Sequence, residues 1–218
     1  IERGAKDGKS VLAPLTQATY LDIFRDILKV AVRKKALLVN PAAEVKPIKK
    51  DKTAMEEKRR PWTSAQLKGF FEGEFYRRCS SAGKGYTKQD RAWRFWLPLL
   101  MLYSGARPNE ICQLHFSDIK QTTSGTWYID INEDGTDDEP KKLKNRSSRR
   151  KVPMHPELRR FGFLEFLSSR KRSKAGSNRI FAELKKNKYI NYAWYAARRL
   201  NEHYIKREID VDFDQSLY

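Results

Sequence analysis

Hydrophobic positions recur with helical spacing at the start of the chain. In LTQATYLDIFRDILKVAVRKKALLVNP, Ile23, Phe24, Ile27, Val30 and Ala31 share one face, while Arg25, Asp26, Lys29 and Arg33 take the others. That period predicts one amphipathic helix. Asn40-Pro41 is its expected stop, because a proline drives the preceding residue out of the helical region. The next run, EVKPIKKDKTAMEEKRRP, is charged, carries two prolines and has no apolar period, so it reads as a linker. TSAQLKGFFEGEFYRRC then restarts helical periodicity, with Thr63 or Ser64 as the cap and Leu67, Phe70 and Phe71 inward. KGYTKQ reads as a loop.

RAWRFWLPLLMLYSG is apolar nearly all round, which predicts a core helix. Pro98 implies a kink or a late start in it, and Gly105 ends it. Pro108 suits the first position of the following helix, with Asn109 and Glu110 in its first turn. GTWYIDINED alternates Trp127, Ile129 and Ile131 with Tyr128, Asp130 and Asn132, the period of a strand. EDGTDDEP is an acidic turn, and KKLKNRSSRRKVPMH reads as strand, tight basic turn, strand. PELRRFGFLEFLSSRKR is helical, with Leu158, Phe161, Leu164, Phe166 and Leu167 as its apolar surface. SKAGSNRIF is a loop with a short extended piece, NKYINYAWYAARRLNEHYIKREI a further helix, and DVDFDQSLY a polar end. The expected fold class is mainly α with a small antiparallel β-sheet (α+β). Its expected organisation is a helical unit over 1–46, a linker over 47–60 and a second unit over 61–218.

Charge changes the picture more than composition does. The chain of 218 residues holds 45 Lys and Arg against 27 Asp and Glu, a net charge of +18. Such an excess points to a polyanionic partner, nucleic acid first among them, with a basic ribosomal or membrane-surface protein as the alternative. Two cysteines make no disulfide framework, so a reducing compartment, the cytoplasm, is expected. His115, His155 and His203 are scattered and lack Cys or carboxylate partners at ligand spacing, so no metal site is expected. No stretch reaches membrane-span length. The chain begins IERGAKDGKS, without Met, and reads as a piece of a longer protein.

Three features carry candidate chemistry. Arg107 follows the turn Ser104, Gly105, Ala106 and precedes a helix start. A guanidinium there is a planar fork for two phosphate oxygens, and Glu110 one turn on could orient it. The bland alternative is a solvated arginine beside a helix cap. The second feature is the turn from Lys141 to Lys151, where seven of eleven residues are basic and none acidic. With Lys144, Arg146, Arg149 and Arg150 pointing outward, and Lys141 and Lys142 beside them, it suits a DNA backbone. The adjoining acidic stretch (Glu133, Asp134, Asp137, Asp138, Glu139) reads as a solvated loop, shielding of the basic turn being the alternative. The third feature is Arg170, Lys171, Arg172, Lys174 and Arg179, phosphate-tracking charge or a solubilising surface.

Together, YSGARPNEICQLHFSDI and LKNRSSRRKVPMHPEL resemble the tyrosine site-specific recombinases, the phage integrase family. That family has a small-residue turn giving T-G-x-R-x-x-E, then a Leu and a short W/F-x-D-I; here the run is SGARPNEICQLHFSDI. Downstream it has a hairpin lysine ahead of R-x-V-P-hydrophobic-H; here Lys144 precedes NRSSRRKVPMH. RPWTSAQL and NPAAEV also look like family punctuation. The resemblance implies a recombinase-like catalytic core preceded by the end of a helical core-binding domain. It implies DNA integration or site-specific recombination on double-stranded DNA, with a homo-tetramer on DNA, no cofactor and no metal. In the family a tyrosine hydroxyl attacks a backbone phosphate to give a 3′-phosphotyrosine link, which a 5′-hydroxyl later reverses.

By the motif match Arg107 is the first catalytic arginine, Glu110 its supporting acid and Lys144 the hairpin lysine that protonates the leaving oxygen. Lys142 takes that role if the register is shifted. The departure lies further on. The family's second box, H-x-x-R and then the nucleophilic tyrosine, has no match after the hairpin, and the chain stops at DQSLY about where it should open. Tyr218 does not fit the nucleophile's place. The chain is therefore expected to carry half an active site and, as it stands, to be unable to cut DNA. The alternatives are a type IB topoisomerase and a basic nucleic-acid-binding module without chemistry.

Overall fold

The computed structural model describes residue 12 and residues 14–46, 61–81, 84–85, 92–173 and 176–209. The linker at 47–60, most of KGYTKQ, Lys174 and the end segment with Tyr218 lie outside the described residues. The chain divides into two units, Ile1–Lys58 and Arg59–Tyr218. Among the described residues no helix is long and apolar enough to cross a membrane.

The first unit is built on α1, Pro14–Arg33, which buries none of its residues. It ends well before Asn40-Pro41. Its apolar period stops at Ala31, Lys35 turns left-handed (φ 58°), and the Ala36 N–H donates back to the Ala31 carbonyl at 2.9 Å. That six-to-one bond closes a Schellman cap. The 40–45 turn then folds onto the helix. Arg25 Nε donates to the Ala42 carbonyl at 3.0 Å, and Asn40 Nδ2 donates to the Arg25 carbonyl at 3.0 Å.

The second unit opens with α2, Ser64–Glu72. Thr63 caps it in a complete box with Gln66, the two bonds being 2.9 and 3.2 Å. α3, Glu74–Cys79, follows directly, and the two-residue strands β1 (Ser80–Ser81) and β2 (Lys84–Gly85) pair antiparallel. α4, Trp93–Ser104, is the central helix. Trp93, Phe95, Trp96, Leu97, Leu99 and Leu100 on it are all buried, as an all-round apolar sequence requires. Pro98 sits inside it and forgoes one backbone bond. Gly105 ends the helix in the left-handed region at φ 61°.

After α5, Pro108–Cys112, and a 3-10 turn at Phe116–Asp118 comes a three-stranded antiparallel sheet in the order β3-β4-β5. Its strands are Ile119–Gln121, Trp127–Ile131 and Arg150–Pro153. Register sets Ile129 opposite Ile119 on one side and Val152 on the other. Ile129 and Ile131 point into the core while Tyr128 and Asp130 remain half-buried.

Four helices complete the unit: α6 (Pro156–Arg160), α7 (Phe163–Ser173), α8 (Trp194–Leu200) and α9 (Lys206–Glu208), with a π turn at Asn201–Ile205 before α9. The fold class is thus α+β, mainly helical with a small antiparallel sheet.

Besides the early end of α1, three expected elements differ. The first limb of the basic hairpin is not a strand. β5 pairs with β4 instead, and β4's other edge is taken by β3, which carries too few residues for a visible period. The helix expected across 156–172 breaks at Gly162, φ 84°, a conformation glycine accepts without Cβ strain. The last helix starts at Trp194, because the Asn187 side chain holds a turn ahead of it. Asn187 Oδ1 accepts from the N–H groups of Tyr189 and Asn191 at 2.9 and 3.1 Å.

A Cβ on Gly105 meets no atom within 4 Å, so its cost is backbone strain alone. Gly105→Ala is expected to lower stability by about 1 kcal/mol and Gly105→Asn by less, read from urea unfolding. An Ala variant as stable as the parent would contradict the left-handed end of α4.

Candidate phosphate-binding site

The site grows from the short turn between α4 and α5. Gly105 reverses the chain, and the Ser104 hydroxyl accepts the Ala106 N–H at 3.2 Å. Arg107 is left extended (φ −69°, ψ 151°) as the N-cap residue of α5. Glu110, one turn on, reaches back to this cap. Its carboxylate accepts the Arg107 backbone N–H at 2.9 Å and the Arg107 Nη1 at 2.9 Å.

A third donor reaches the same carboxylate from the sheet. Arg150 opens β5 and its Nη2 donates to Glu110 Oε2 at 2.9 Å. Ser148, two residues earlier, completes the join. Its hydroxyl accepts from Arg107 Nη1 at 3.0 Å and donates to Asn145 Oδ1 at 2.6 Å, and its carbonyl accepts from Arg150 Nη1 at 2.9 Å. One carboxylate thus fixes two guanidinium groups that come from distant parts of the sequence.

The electrostatics follow from unequal burial. The Glu110 side chain is 3% exposed, whereas those of Arg107 and Arg150 are each 34% exposed. Burial alone would raise the Glu110 pKa. The bonds from Arg150 and from the backbone and side chain of Arg107 outweigh burial and hold it below the usual carboxylate value. The anion is therefore hidden and the two cations face solvent, leaving one positive charge in excess. They border a cleft of about 450 Å³ lined by Gly105, Arg107, Asn145, Ser147, Ser148 and Arg150. Two half-exposed guanidiniums of fixed spacing can take several oxygens of a tetrahedral anion.

The remaining expected residues divide sharply. Lys144 is exposed and lies next to cleft-lining Asn145. Lys142, Arg146, Lys171 and Arg172 are exposed, as a contact to a polyanion requires. Arg149 is exposed but pairs with Asp134 at 2.8 Å, while Glu133 Oε1 accepts the Leu143 N–H at 3.0 Å. Glu133 and Asp134 thus bond to the basic turn, while Asp137 and Asp138 are exposed, as a solvated loop requires. Arg150 does not project outward with its neighbours, since its guanidinium turns in to Glu110.

Two expected DNA contacts are corrected outright. Lys141 is buried. Its ammonium gives bonds to both Asp118 oxygens at 2.7 Å and to Asn132 Oδ1 at 3.0 Å, which uses all three of its protons. Arg170 is also buried. Its Nε donates to the Ile180 carbonyl at 2.9 Å and its Nη2 pairs with Glu183. Arg179, in the same expected cluster, is buried against Tyr192, with Nη2 donating to the Leu184 carbonyl at 2.7 Å. A side chain closed off from water cannot meet a phosphate backbone.

Sequence reasoning missed Ser148 and Asn145. No periodicity marks them, because Ser148 closes a 3-10 turn at Arg146–Ser148 capped by Asn145, and the strand begins only at Arg150. Among the described residues no group of three or more His, Cys, Asp or Glu is placed to hold a metal. No protein-family model, curated protein or solved structure matches the chain.

Glu110→Gln is expected to cost about 1–3 kcal/mol, less than for a fully buried pair because both arginines are partly in water. The sign with pH follows from the lowered pKa. The carboxylate's contribution is full above its ordinary value of about 4.3 and is lost as pH falls through the lower folded value. The stability gap between parent and Glu110→Gln should therefore persist at pH 5 and close only below about pH 4; a gap that closes near pH 6 would contradict the pairing. Lys141→Met should destabilise by about 3 kcal/mol, because it strands buried Asp118. It should change duplex DNA affinity by less than about twofold, read by titration at fixed salt.

Proposed function

We propose that the second unit is the phosphate-activating half of a DNA strand cleavage and rejoining enzyme of the tyrosine recombinase kind, working in integration or site-specific recombination. The observation that carries this reading is the Arg107–Glu110–Arg150 cluster: two solvent-facing guanidiniums aimed by one buried carboxylate. Donors held in place before reaction act most strongly where charge builds on phosphorus-bound oxygen. Glu110 does not touch the phosphate; it fixes the angle between the two cations.

Lys144, beside Asn145 on the rim, supplies a proton to the departing 5′ oxygen. Exposed Lys142, Arg146, Lys171 and Arg172 hold the flanking duplex by charge. No tyrosine lines the cleft among the described residues; in this scheme the nucleophilic tyrosine is brought to the cleft from outside it, a second copy assembled on DNA being one source. A linked phosphotyrosine conserves the phosphodiester bond energy, and the scheme needs no cofactor. The second reading, a basic DNA-binding module without chemistry, keeps the charge but gives the shared carboxylate no purpose beyond folding. A type IB topoisomerase would use the same cluster and differ in rejoining one duplex to itself.

The test is a suicide duplex offered to the full-length protein, with covalent adduct read on a denaturing gel. Arg107→Ala and Arg150→Ala should each reduce adduct by about a hundredfold or more, while duplex binding falls by less than about tenfold. Lys144→Ala should be rescued by a 5′-thio leaving group, which needs no proton. Adduct formation indifferent to both arginines would remove the enzyme reading. Duplex binding by the 218-residue chain should fall steeply with salt, and each exposed basic residue removed should reduce that slope by about one.

A further inference from the structure

A second surface of the same unit has a chemistry that the phosphate cleft does not use. Among the described residues of this unit the exposed large apolar and aromatic side chains are Leu102, Tyr189, Trp194 and Tyr195. Three of these four fall between positions 189 and 195. Tyr189 is 64% exposed, Trp194 44% and Tyr195 46%. The segment around them is one-sided in charge. From 185 to 199 the charged residues are Lys185, Lys186, Lys188, Arg198 and Arg199, all exposed, with no Asp or Glu.

The aromatic rings are positioned rather than loose. Asn187 Oδ1 accepts from the Tyr189 and Asn191 N–H groups. Ile190 is held at φ 58°, a conformation that β-branched residues rarely adopt. Asn109 fixes this bend from α5, since its Nδ2 donates to the Ile190 carbonyl at 3.4 Å and its Oδ1 accepts the Tyr192 N–H at 2.7 Å. The result turns Tyr189 to solvent with Lys188 Nζ 5.0 Å from its ring centre. Trp194 Nε1 donates to the Lys185 carbonyl at 3.3 Å, and the Trp194 and Tyr195 rings meet edge to face at 6.1 Å. Beside Lys185 and Lys186 a hollow of about 440 Å³ continues toward Ser177 and Tyr192. Asp138 and Glu139 border it, but Glu139 is engaged by the Ser177 hydroxyl at 2.7 Å and the Asn178 N–H at 2.9 Å. Arg198 is paired with Glu202 at 2.9 Å, so the lysines carry the attraction.

We propose that the 185–199 face is a stacking platform for unpaired bases of DNA, with Tyr189, Trp194 and Tyr195 offering ring faces and Lys185, Lys186 and Lys188 tracking the backbone. Rings beside exposed lysines suit single-stranded nucleic acid, because every base has a π face and the strand is negative throughout; Lys186 Nζ also donates to the Asp138 carbonyl at 3.3 Å, a contact that leaves its charge uncancelled. In an intact duplex those faces are already stacked on one another, so this surface discriminates in favour of opened DNA. A protein partner fits less well, since lysine is depleted where aromatic residues anchor protein interfaces. The proposal shares with the cleft reading only the DNA partner. Asn109, two residues after Arg107, gives the two surfaces one rigid connection.

The experiment compares a 20-base-pair duplex, the same duplex with two unpaired thymines, and a thymine 20-mer. Each is titrated against the 218-residue chain at fixed salt, with tryptophan emission as a second signal. The bulged duplex should bind about five- to tenfold more tightly than the perfect one. Tyr189→Ala should remove most of that preference and Tyr189→Phe should keep it, with perfect-duplex affinity changed less than about twofold in both. Trp194→Phe should abolish the part of the emission change caused by the unpaired bases. Equal affinity for bulged and perfect duplexes, or a preference that survives Tyr189→Ala, overturns the platform and leaves the cleft reading standing. Arginine-dependent adduct failing while the Tyr189-dependent preference persists does the reverse. Self-association of the chain that Tyr189→Ala abolishes, without base preference, also overturns it and makes the face a protein contact.

Discussion

A carboxylate shut away from water must be compensated by donors, and in this chain the need falls on Glu110. Three N–H groups meet it, two from the Arg107 end of α5 and one from β5. These bonds tie the turn after the central helix to the edge of the sheet. They also set the spacing of two guanidiniums without drawing either fully out of solvent. Taking one partner away leaves the others mismatched, which is why breaking a buried pair costs more than making it contributes. The cleft geometry is therefore a consequence of one buried charge rather than of a deep apolar pocket.

Lys141 plays the same part at the other end of the loop that returns to β5. Its bonds to Asp118 and Asn132 join the 3-10 turn, the end of β4 and the start of the basic run. Asp118 also accepts the His115 N–H at 2.7 Å. Burial first, and the Lys141 ammonium next, hold His115 below its ordinary pKa, so it stays neutral beside that cation. With Lys141 anchored at one end and Ser148 and Arg150 at the other, the run between them needs no strand pairing of its own. That explains why a segment with hairpin chemistry forms only one of its two strands.

Much of the fold was legible because it rests on local rules. The all-round apolar run gave α4, Gly105 its end, Thr63 the cap of α2, and the Trp127–Ile131 alternation the middle strand. β3 was hidden because three residues show no period. The early stop of α1 and the late start of α8 depend on a lysine turned left-handed and on an asparagine side chain, neither of which periodicity reports. At the site, Arg107 and Glu110 were visible from spacing one helical turn apart. Arg150 was visible only as charge, because its pairing with Glu110 crosses from sheet to helix.

The partition of charge follows from the same limit. A run of basic residues is read from sequence as one surface, yet Lys141 and Arg150 turn inward while Lys142, Lys144 and Arg146 stay in water. Arg170 turns in while Lys171 and Arg172 next to it do not. Each inward cation has an anion or carbonyl set waiting across the fold: Asp118 and Asn132, Glu110, Ile180 and Glu183. Desolvation admits a cation only on that condition, and the partner lies 9 to 40 residues away in sequence. Net charge therefore reports the long-range field, which counts buried and exposed cations alike at a distance. Contact with a polyanion is left to the cations that keep an exposed face, the partly exposed Arg107 and Arg150 among them, and only the three-dimensional fold separates these from buried Lys141 and Arg170.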